Sequence, residues 1–281
     1  MASNQKLLSV LLLIITVSLL FSQPCQSHLL KMCNFAQIYQ LGDSISDTGN
    51  LIRESFIGAA SPFSRLPFGE TFFNNATGRC SNGLLMIDFF ALEAGLPFLN
   101  SYKNIDANFK HGVNFAVAGS TALSAHVLAK KGISCPVTNS SLHLQLEWMH
   151  TYFNSICYNH RDCIEKLKNS LFMVGEIGGN DYNYALFQGN FSIGCLPIYL
   201  TGFKTNDSTT YDEYHCLKGL NELSMYHNDH VQKVIKDLKK EYPNTIIVYG
   251  DYYNAFQWLF HNAPRLGFDA VFTKSMLWNW R

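Results

Sequence analysis

Charged residues are scarce in this sequence. Asp, Glu, Lys and Arg make up 15% of its 281 residues, and the 21 acidic and 21 basic side chains cancel. Because there is no basic stripe to displace counterions from a phosphate backbone, we expect no nucleic-acid partner. Internal repeats, long linkers and low-complexity segments are also absent, which predicts a single globular domain.

Metal-binding patterns are missing as well. The ten histidines are spread along the chain, and none combines with the eight cysteines in the spacing typical of a zinc site. We therefore expect no metal.

The one long apolar run is too short to span a bilayer comfortably. It covers Leu7–Phe21, follows Lys6, and gives way to polar and small residues up to Ser27. Such a run close to the first methionine is typical of a cleaved secretory signal, and the alternatives are a membrane anchor or a buried strand. We predict a signal peptide at residues 1–27, one domain at residues 28–281, secretion, and no stable membrane insertion.

Secretion would allow disulfide bonds between the cysteines. If Cys25 leaves with the signal, seven cysteines remain, and an odd number cannot pair completely within one chain. Cys157 and Cys163 are close enough in sequence to close a short loop, while Cys195 and Cys216 flank a loop rich in threonine and asparagine. The others are Cys33, Cys80 and Cys135.

Four Asn-x-Ser/Thr triplets are potential glycosylation sites in a secreted chain. They begin at Asn75, Asn139, Asn190 and Asn206. Chance is the alternative, because such triplets are common. For Asn75, the surrounding Asn74-Asn75-Ala76-Thr77-Gly78 predicts an exposed turn that carries a glycan.

Strand and helix patterns alternate along the chain, which is typical of a parallel α/β sheet. The predicted strands are Gln37–Leu41, Val113–Ala118, Leu171–Val174 and Thr245–Tyr249. The predicted helices are Asn82–Ala94, Ser141–Phe153, Asp162–Ser170, Leu217–Glu241 and Asn254–Asn262.

Three polar blocks lie at the ends of predicted strands. Ser44 follows the first strand, Gly119 lies in the block Asn114–Ser120, and Asn180 lies in the block Gly175–Asp181. In an open parallel sheet the carboxyl ends of neighbouring strands form the ligand-binding edge. Taken singly, each residue has an ordinary interpretation: Ser44 as a helix N-cap, and Gly119 and Asn180 as turn residues.

In content and order these blocks resemble the plant GDSL esterase/lipase family of the SGNH hydrolases. The resemblance extends to Pro67–Phe73, Thr77–Gly83, Gly194–Pro197 and Asp251–Asn254. It implies a flavodoxin-like three-layer α/β/α fold with a mostly parallel sheet. It also implies a serine hydrolase that needs no cofactor and acts on small-molecule esters or lipids.

The resemblance assigns roles to three residues. Ser44 is the nucleophile, and the backbone N–H groups of Ser44 and Gly119 and the side-chain amide of Asn180 are the oxyanion donors. These groups suit acyl transfer, because attack by a hydroxyl places negative charge on the carbonyl oxygen, where hydrogen-bond donors must be waiting.

The chain departs from the family pattern in two places. Only Tyr182–Ile193 separates the third block from Gly194–Pro197, where the family has a crossover helix and a further strand. We therefore expect a missing unit near Asn190. The second departure is that no C-terminal Asp-x-x-His block, which carries the family's catalytic Asp and His, precedes Arg281.

One string of that form exists, but not in the family's position. Asp212-Glu213-Tyr214-His215 lies in the loop before Cys216, where the family has no catalytic residue. We interpret Asp212 and His215 as a chance match. The expected function is that of a secreted serine hydrolase of carboxylic esters, truncated and internally shortened, with low activity because its Asp/His pair is missing. The alternative is an inactive secreted protein that binds a glycan or an acyl ligand.

Overall fold

The structure is a computed structural model that describes residues 29–188, 195 and 197–267. The chain divides into two compact units, with the boundary between Asn180 and Asp181. Each unit is described here by itself.

The first unit contains the sheet and several helices. Its strands are β1 (Gln37–Leu41), β2 (Gly112–Asn114) and β3 (Ser170–Val174). Its α-helices are α1 (Leu29–Met32), α2 (Leu51–Glu54), α3 (Phe56–Ala59), α4 (Met86–Ala94), α5 (Ala125–Ala129), α6 (Leu142–Ile156) and α7 (His160–Leu167), with a 3₁₀ turn at Pro62–Ser64.

Helix α8 (Gly179–Gln188) crosses the boundary between the units. The second unit continues with α9 (Pro197–Gly202), α10 (Lys218–Glu241) and α11 (Tyr252–Asn262), and with 3₁₀ turns at Ser208–Thr210 and Ala263–Leu266.

The three strands form a parallel sheet in the order β2-β1-β3. The central strand β1 is apolar on both faces, and Ile38, Tyr39 and Leu41 are at most 1% exposed. Strands β1 and β2 approach closely at Gly112, where an added Cβ would lie 1.8 Å from the carbonyl oxygen of Ile38. A side chain therefore cannot be accommodated at this position.

Helices cover both faces of the sheet. On one face Ile38 packs with Ile87 and Ala91 of α4. On the other face Tyr39 and Leu41 pack against aromatic side chains of α6. Alternate residues of a strand point to opposite faces, so β1 contributes to two separate cores. The result is the expected three-layer α/β/α arrangement.

The sequence predicts β1 and β3 well, but it extends β2 too far. Strand β2 ends at Asn114, whereas Val113–Ala118 was the expectation. The side chain of Asn114 explains the early end, because its Oδ1 accepts a hydrogen bond from the N–H of Ala116 and turns the chain. Beyond that point, the N–H of Phe115 still donates to the carbonyl of Gln40 in β1, and the N–H of Val117 donates to the carbonyl of Gly42 just after β1.

The predicted strand Thr245–Tyr249 is wrong. These residues form no regular structure, and Ile246 and Val248 are 93% and 78% exposed. A strand needs a partner for its backbone groups, and residues 197–267 contain no other strand with which the segment could pair. An apolar run predicts a tendency to be buried, not the presence of that partner.

The predicted helices exist with shifted ends. Helix α4 begins at Met86 rather than Asn82, because the carboxylate of Asp88 accepts a hydrogen bond from the N–H of Leu85 and fixes the first turn there. Helix α7 begins at His160 rather than Asp162, because the side chain of Asn159 accepts from the N–H of Asp162 and caps the helix there.

Several expectations fall on residues that the structure does not describe. They are the signal peptide at residues 1–27, the expected junction at Asn190 and the chain end at Arg281. Among the described residues, no helix combines the length and the apolar character needed to cross a membrane.

Candidate active site

The loop after β1 places Ser44 at the carboxyl edge of the sheet. Ser44 is partly exposed, while its neighbour Asp43 is almost fully buried. The N–H of Asp43 donates to the carbonyl of Glu176 at 3.1 Å, which ties this loop to the segment after β3. The sequence suggested a helix start directly after Ser44, but α2 begins only at Leu51, so no helix dipole acts on Ser44 there.

Asp47 organises the rest of this loop. It is fully buried, and its carboxylate accepts hydrogen bonds from the backbone N–H groups of Gly49, Asn50, Leu51 and Ala118. Burial raises the pKa of Asp47, and the four N–H donors act in the opposite direction. Because Ala118 precedes Gly119, Asp47 fixes the loop of Ser44 against the loop of Gly119.

A second link between these loops is an exchange of asparagine amides. The Nδ2 of Asn50 donates to the carbonyls of Asn114 and Ala116, both at 2.8 Å. In return, the Nδ2 of Asn114 donates to the carbonyl of Ser46 at 2.6 Å. Both asparagines are fully buried, so these bonds form away from competing water.

Gln145 of α6 holds the same two loops through hydrogen bonds of its side-chain amide. Its Oε1 accepts from the N–H of Gly42 at 2.9 Å, and its Nε2 donates to the carbonyl of Gly42 at 2.8 Å. The same Nε2 lies 3.0 Å from the hydroxyl of Ser120. One fully buried amide therefore holds the residue two before Ser44 and the residue after Gly119.

Asn180 completes the group of predicted residues. Its Nδ2 donates to the carbonyl of Ser120 at 2.9 Å and lies 3.5 Å from the carboxylate of Asp43. Gly119 has φ +85°, a conformation that favours glycine. The structure thus brings together the chain neighbours of Ser44 and Gly119 with Asn180 itself, all within the first unit.

Two ionisable groups near this loop have raised pKa values. Burial raises the pKa of Glu176, whose backbone oxygen binds Asp43. Desolvation of the sulfur, together with the negative charges of Asp43 and Asp47, raises the pKa of the Cys80 thiol to about 11. At neutral pH this thiol is protonated, and a protonated thiol is a poor nucleophile.

Asp212 and His215 are placed in the second unit, where Asp212 has a structural role. Its Oδ1 accepts from the N–H groups of Tyr214 and Cys216, and its Oδ2 accepts from Asn221. His215 is exposed and has φ +61°. The carboxylate is therefore engaged in forming the turn.

The cysteine and glycosylation expectations can be compared with the described residues. Both suggested pairs, Cys157–Cys163 and Cys195–Cys216, are disulfide-bonded. Asn75, Asn139 and Asn206 are exposed, whereas Asn190 lies outside the described residues. No group of three or more His, Cys, Asp or Glu side chains that could hold a metal ion is found in the part of the chain that the structure describes.

Comparison with known proteins decides the family. The profile described as GDSL-like Lipase/Acylhydrolase matches residues 38–263, which include all three blocks. The chain belongs to this family. Acetylajmalan esterase 1 of Rauvolfia serpentina is 42% identical over 275 residues, covering 85% of this chain and 72% of the relative.

Two Arabidopsis thaliana proteins named as GDSL esterases/lipases are also similar. One is 40% identical over 273 residues, covering 84% of this chain and 68% of the relative. The other is 38% identical over 303 residues, covering 94% of this chain and 76% of the relative. No solved structure matches the chain. By family, the chain is a carboxylic ester hydrolase of plant GDSL type.

Sequence reasoning predicted Ser44, Gly119 and Asn180 but missed the residues that connect them. Asp47 follows Ser44 in a turn-like segment, and Gln145 is one polar residue on an amphipathic helix, so neither residue is distinguished by the sequence pattern. A buried glutamine among the apolar positions of α6 was the available signal, since amides are seldom buried without partners.

Proposed function

We propose that this chain hydrolyses carboxylic esters of small molecules, with Ser44 as the nucleophile. The observation that supports the proposal best is the hydrogen bonding of Asn180 to Ser120 and its approach to Asp43. These contacts connect three segments that are far apart in sequence and that carry the nucleophile and the oxyanion donors. If each strand end carried only a structural turn, these three segments would not need to contact one another.

The chemistry follows from these groups. Ser44 Oγ attacks the ester carbonyl carbon, and its proton passes to a base. The carbonyl oxygen becomes negative and accepts hydrogen bonds from the N–H groups of Ser44 and Gly119 and the amide of Asn180. Collapse of this intermediate expels the alcohol and leaves an acyl group on Ser44, which water then removes.

Activated aryl esters are the appropriate substrates, since their leaving group departs without protonation and so depends less on a general acid. A short acyl chain is the first choice, because the Rauvolfia relatives are named as esterases of an acetylated compound. We also propose that residues 1–27 direct the protein to the secretory pathway.

Replacing Ser44 tests this function. We expect the parent chain to hydrolyse p-nitrophenyl acetate, and Ser44→Ala to lower the enzyme-dependent rate by about a hundredfold or more, to background. Ser46→Ala is the matched control in the same loop, because the Ser46 hydroxyl is buried and has no hydrogen-bond partner among the described residues. Equal rates for the parent and Ser44→Ala would show that Ser44 is not the nucleophile.

A further inference from the structure

A cavity of about 290 Å³ lies beside the loop after β1, within the first unit. Its lining includes Thr48, Phe73, Asn75, Phe98, Asn100 and Asn104. Aromatic rings and side-chain amides together are suited to a sugar, whose C–H groups pack on the electron-rich face of a ring while its hydroxyls form hydrogen bonds.

The same cavity contains a glycosylation triplet in its wall. Asn75 is exposed and lines the cavity two residues after Phe73. Between them Asn74 has φ +57°, the left-handed conformation of a turn that asparagine tolerates. The turn thus presents an acceptor asparagine and an aromatic ring to one space.

We propose that a glycan on Asn75 places its first N-acetylglucosamine in this cavity, against the ring of Phe73. On glycosylation the Asn75 Nδ2 bonds to C1 of the sugar, loses one proton, and displaces the pyrophosphate of a lipid-linked oligosaccharide. The remaining N–H can keep its contact with the Ala76 carbonyl, now 3.3 Å away. The proposal rests on secretion, not on ester hydrolysis.

The position of the cavity gives this sugar a structural role. An added Cβ at Gly49 would lie 2.5 Å from the carbonyl oxygen of Thr77, and one at Gly78 would lie 2.6 Å from the Cα of Gly49. The glycosylation segment therefore packs directly on the loop that follows Ser44. A sugar linked to Asn75 and packed on Phe73 stabilises this segment and, through it, the loop.

Thermal unfolding of glycoforms tests the proposal. The chain is produced in a eukaryotic secretory host with high-mannose glycans, and peptide mass spectrometry measures the occupancy of Asn75. Trimming to one N-acetylglucosamine with an endoglycosidase should leave Tm unchanged, whereas Asn75→Gln should lower it by about 2–4 °C. Asn139→Gln is the matched control, because Asn139 is an exposed acceptor that does not line the cavity.

A double-mutant cycle separates the sugar contact from simple packing. Phe73→Leu also loses its contact with Phe98, so its effect is compared in the occupied chain and in Asn75→Gln. We expect Phe73→Leu to lower Tm more in the occupied chain, because only there does it remove the sugar contact. Equal effects in both backgrounds, a trimmed form as unstable as Asn75→Gln, or secreted protein without sugar on Asn75 would each overturn the proposal, whatever the esterase activity.

Discussion

Asp47 and Glu176 are two carboxyl groups near Ser44 with different surroundings. Asp47 is fully buried, yet four backbone N–H groups surround its oxygens, so hydrogen bonds replace the water it lost. Burial is the cause that raises the pKa of Glu176. The two groups therefore differ in what their ionisation costs the folded protein.

The pH dependence of stability should reveal Glu176. Because its folded pKa lies above the ordinary value of 4.5, its contribution to the unfolding free energy is full below that value and is lost as pH rises through the folded pKa. We expect Glu176→Gln to match the parent Tm at pH 4 and to exceed it by about 2–4 °C at pH 8.

Glu165→Gln is the control for this measurement, because its carboxylate is exposed and only paired with Lys168 at the surface. A Glu176→Gln variant whose Tm difference from the parent is the same at both pH values would contradict the raised pKa of Glu176.

The Asp212–His215 string allows a second test at the scale of residues. Asp212 already accepts hydrogen bonds from its own turn, so we expect Asp212→Asn with His215→Asn to keep turnover within about threefold of the parent. Asparagine is chosen for position 215 because it tolerates the positive φ found there. A fall of about a thousandfold, with folding intact by circular dichroism, would identify the pair as a working base after all.

At the scale of elements, helix α6 does more than cover the sheet. Its aromatic side chains pack on β1 and β2, and its one fully buried polar residue, Gln145, binds both backbone groups of Gly42. The loop of Ser44 is thereby positioned by a rigid helix. Precise placement matters because a displacement of about 1 Å can cost a catalytic site about a hundredfold in rate.

Gln145→Glu tests this positioning. The carboxylate can still accept from the N–H of Gly42. Its second oxygen replaces the Nε2 donor, so it faces the Gly42 carbonyl without a hydrogen bond and no longer donates to Ser120. We expect kcat to fall by about ten- to a hundredfold with little change in KM for a small ester.

The control on the same helix is Glu147→Gln, at a side chain that is 57% exposed, which should leave kcat unchanged. A Gln145→Glu variant with the parent's kcat would show that the amide does not position the loop.

The elements also show where prediction from sequence succeeds. Strands β1 and β3 are short apolar runs, and helices α4, α6 and α10 are longer segments rich in apolar residues, so their existence was predictable although their ends were not. Those ends depend on single side chains such as Asn114 and Asp88, whose hydrogen bonds a periodicity pattern does not contain. The predicted strand at Thr245–Tyr249 failed because pairing depends on a partner elsewhere in the chain.

At the scale of the whole molecule, the parallel sheet explains why the three polar blocks could be expected to meet. The carboxyl ends of β1, β2 and β3 lie at one edge, so residues near positions 44, 119 and 180 come together although they are far apart in sequence. The supporting contacts were not predictable, because Gln145 and Gly42 are 103 residues apart and share no local pattern.

The most direct measurement of the central claim is to locate the acyl group. The protein is mixed with a p-nitrophenyl ester, quenched in acid, digested and mapped by mass spectrometry. The account predicts one acyl group, on Ser44, that is absent in Ser44→Ala and present in Ser46→Ala. Hydrolysis that proceeds with the acyl group on another residue, while Ser44 stays unmodified, would contradict it.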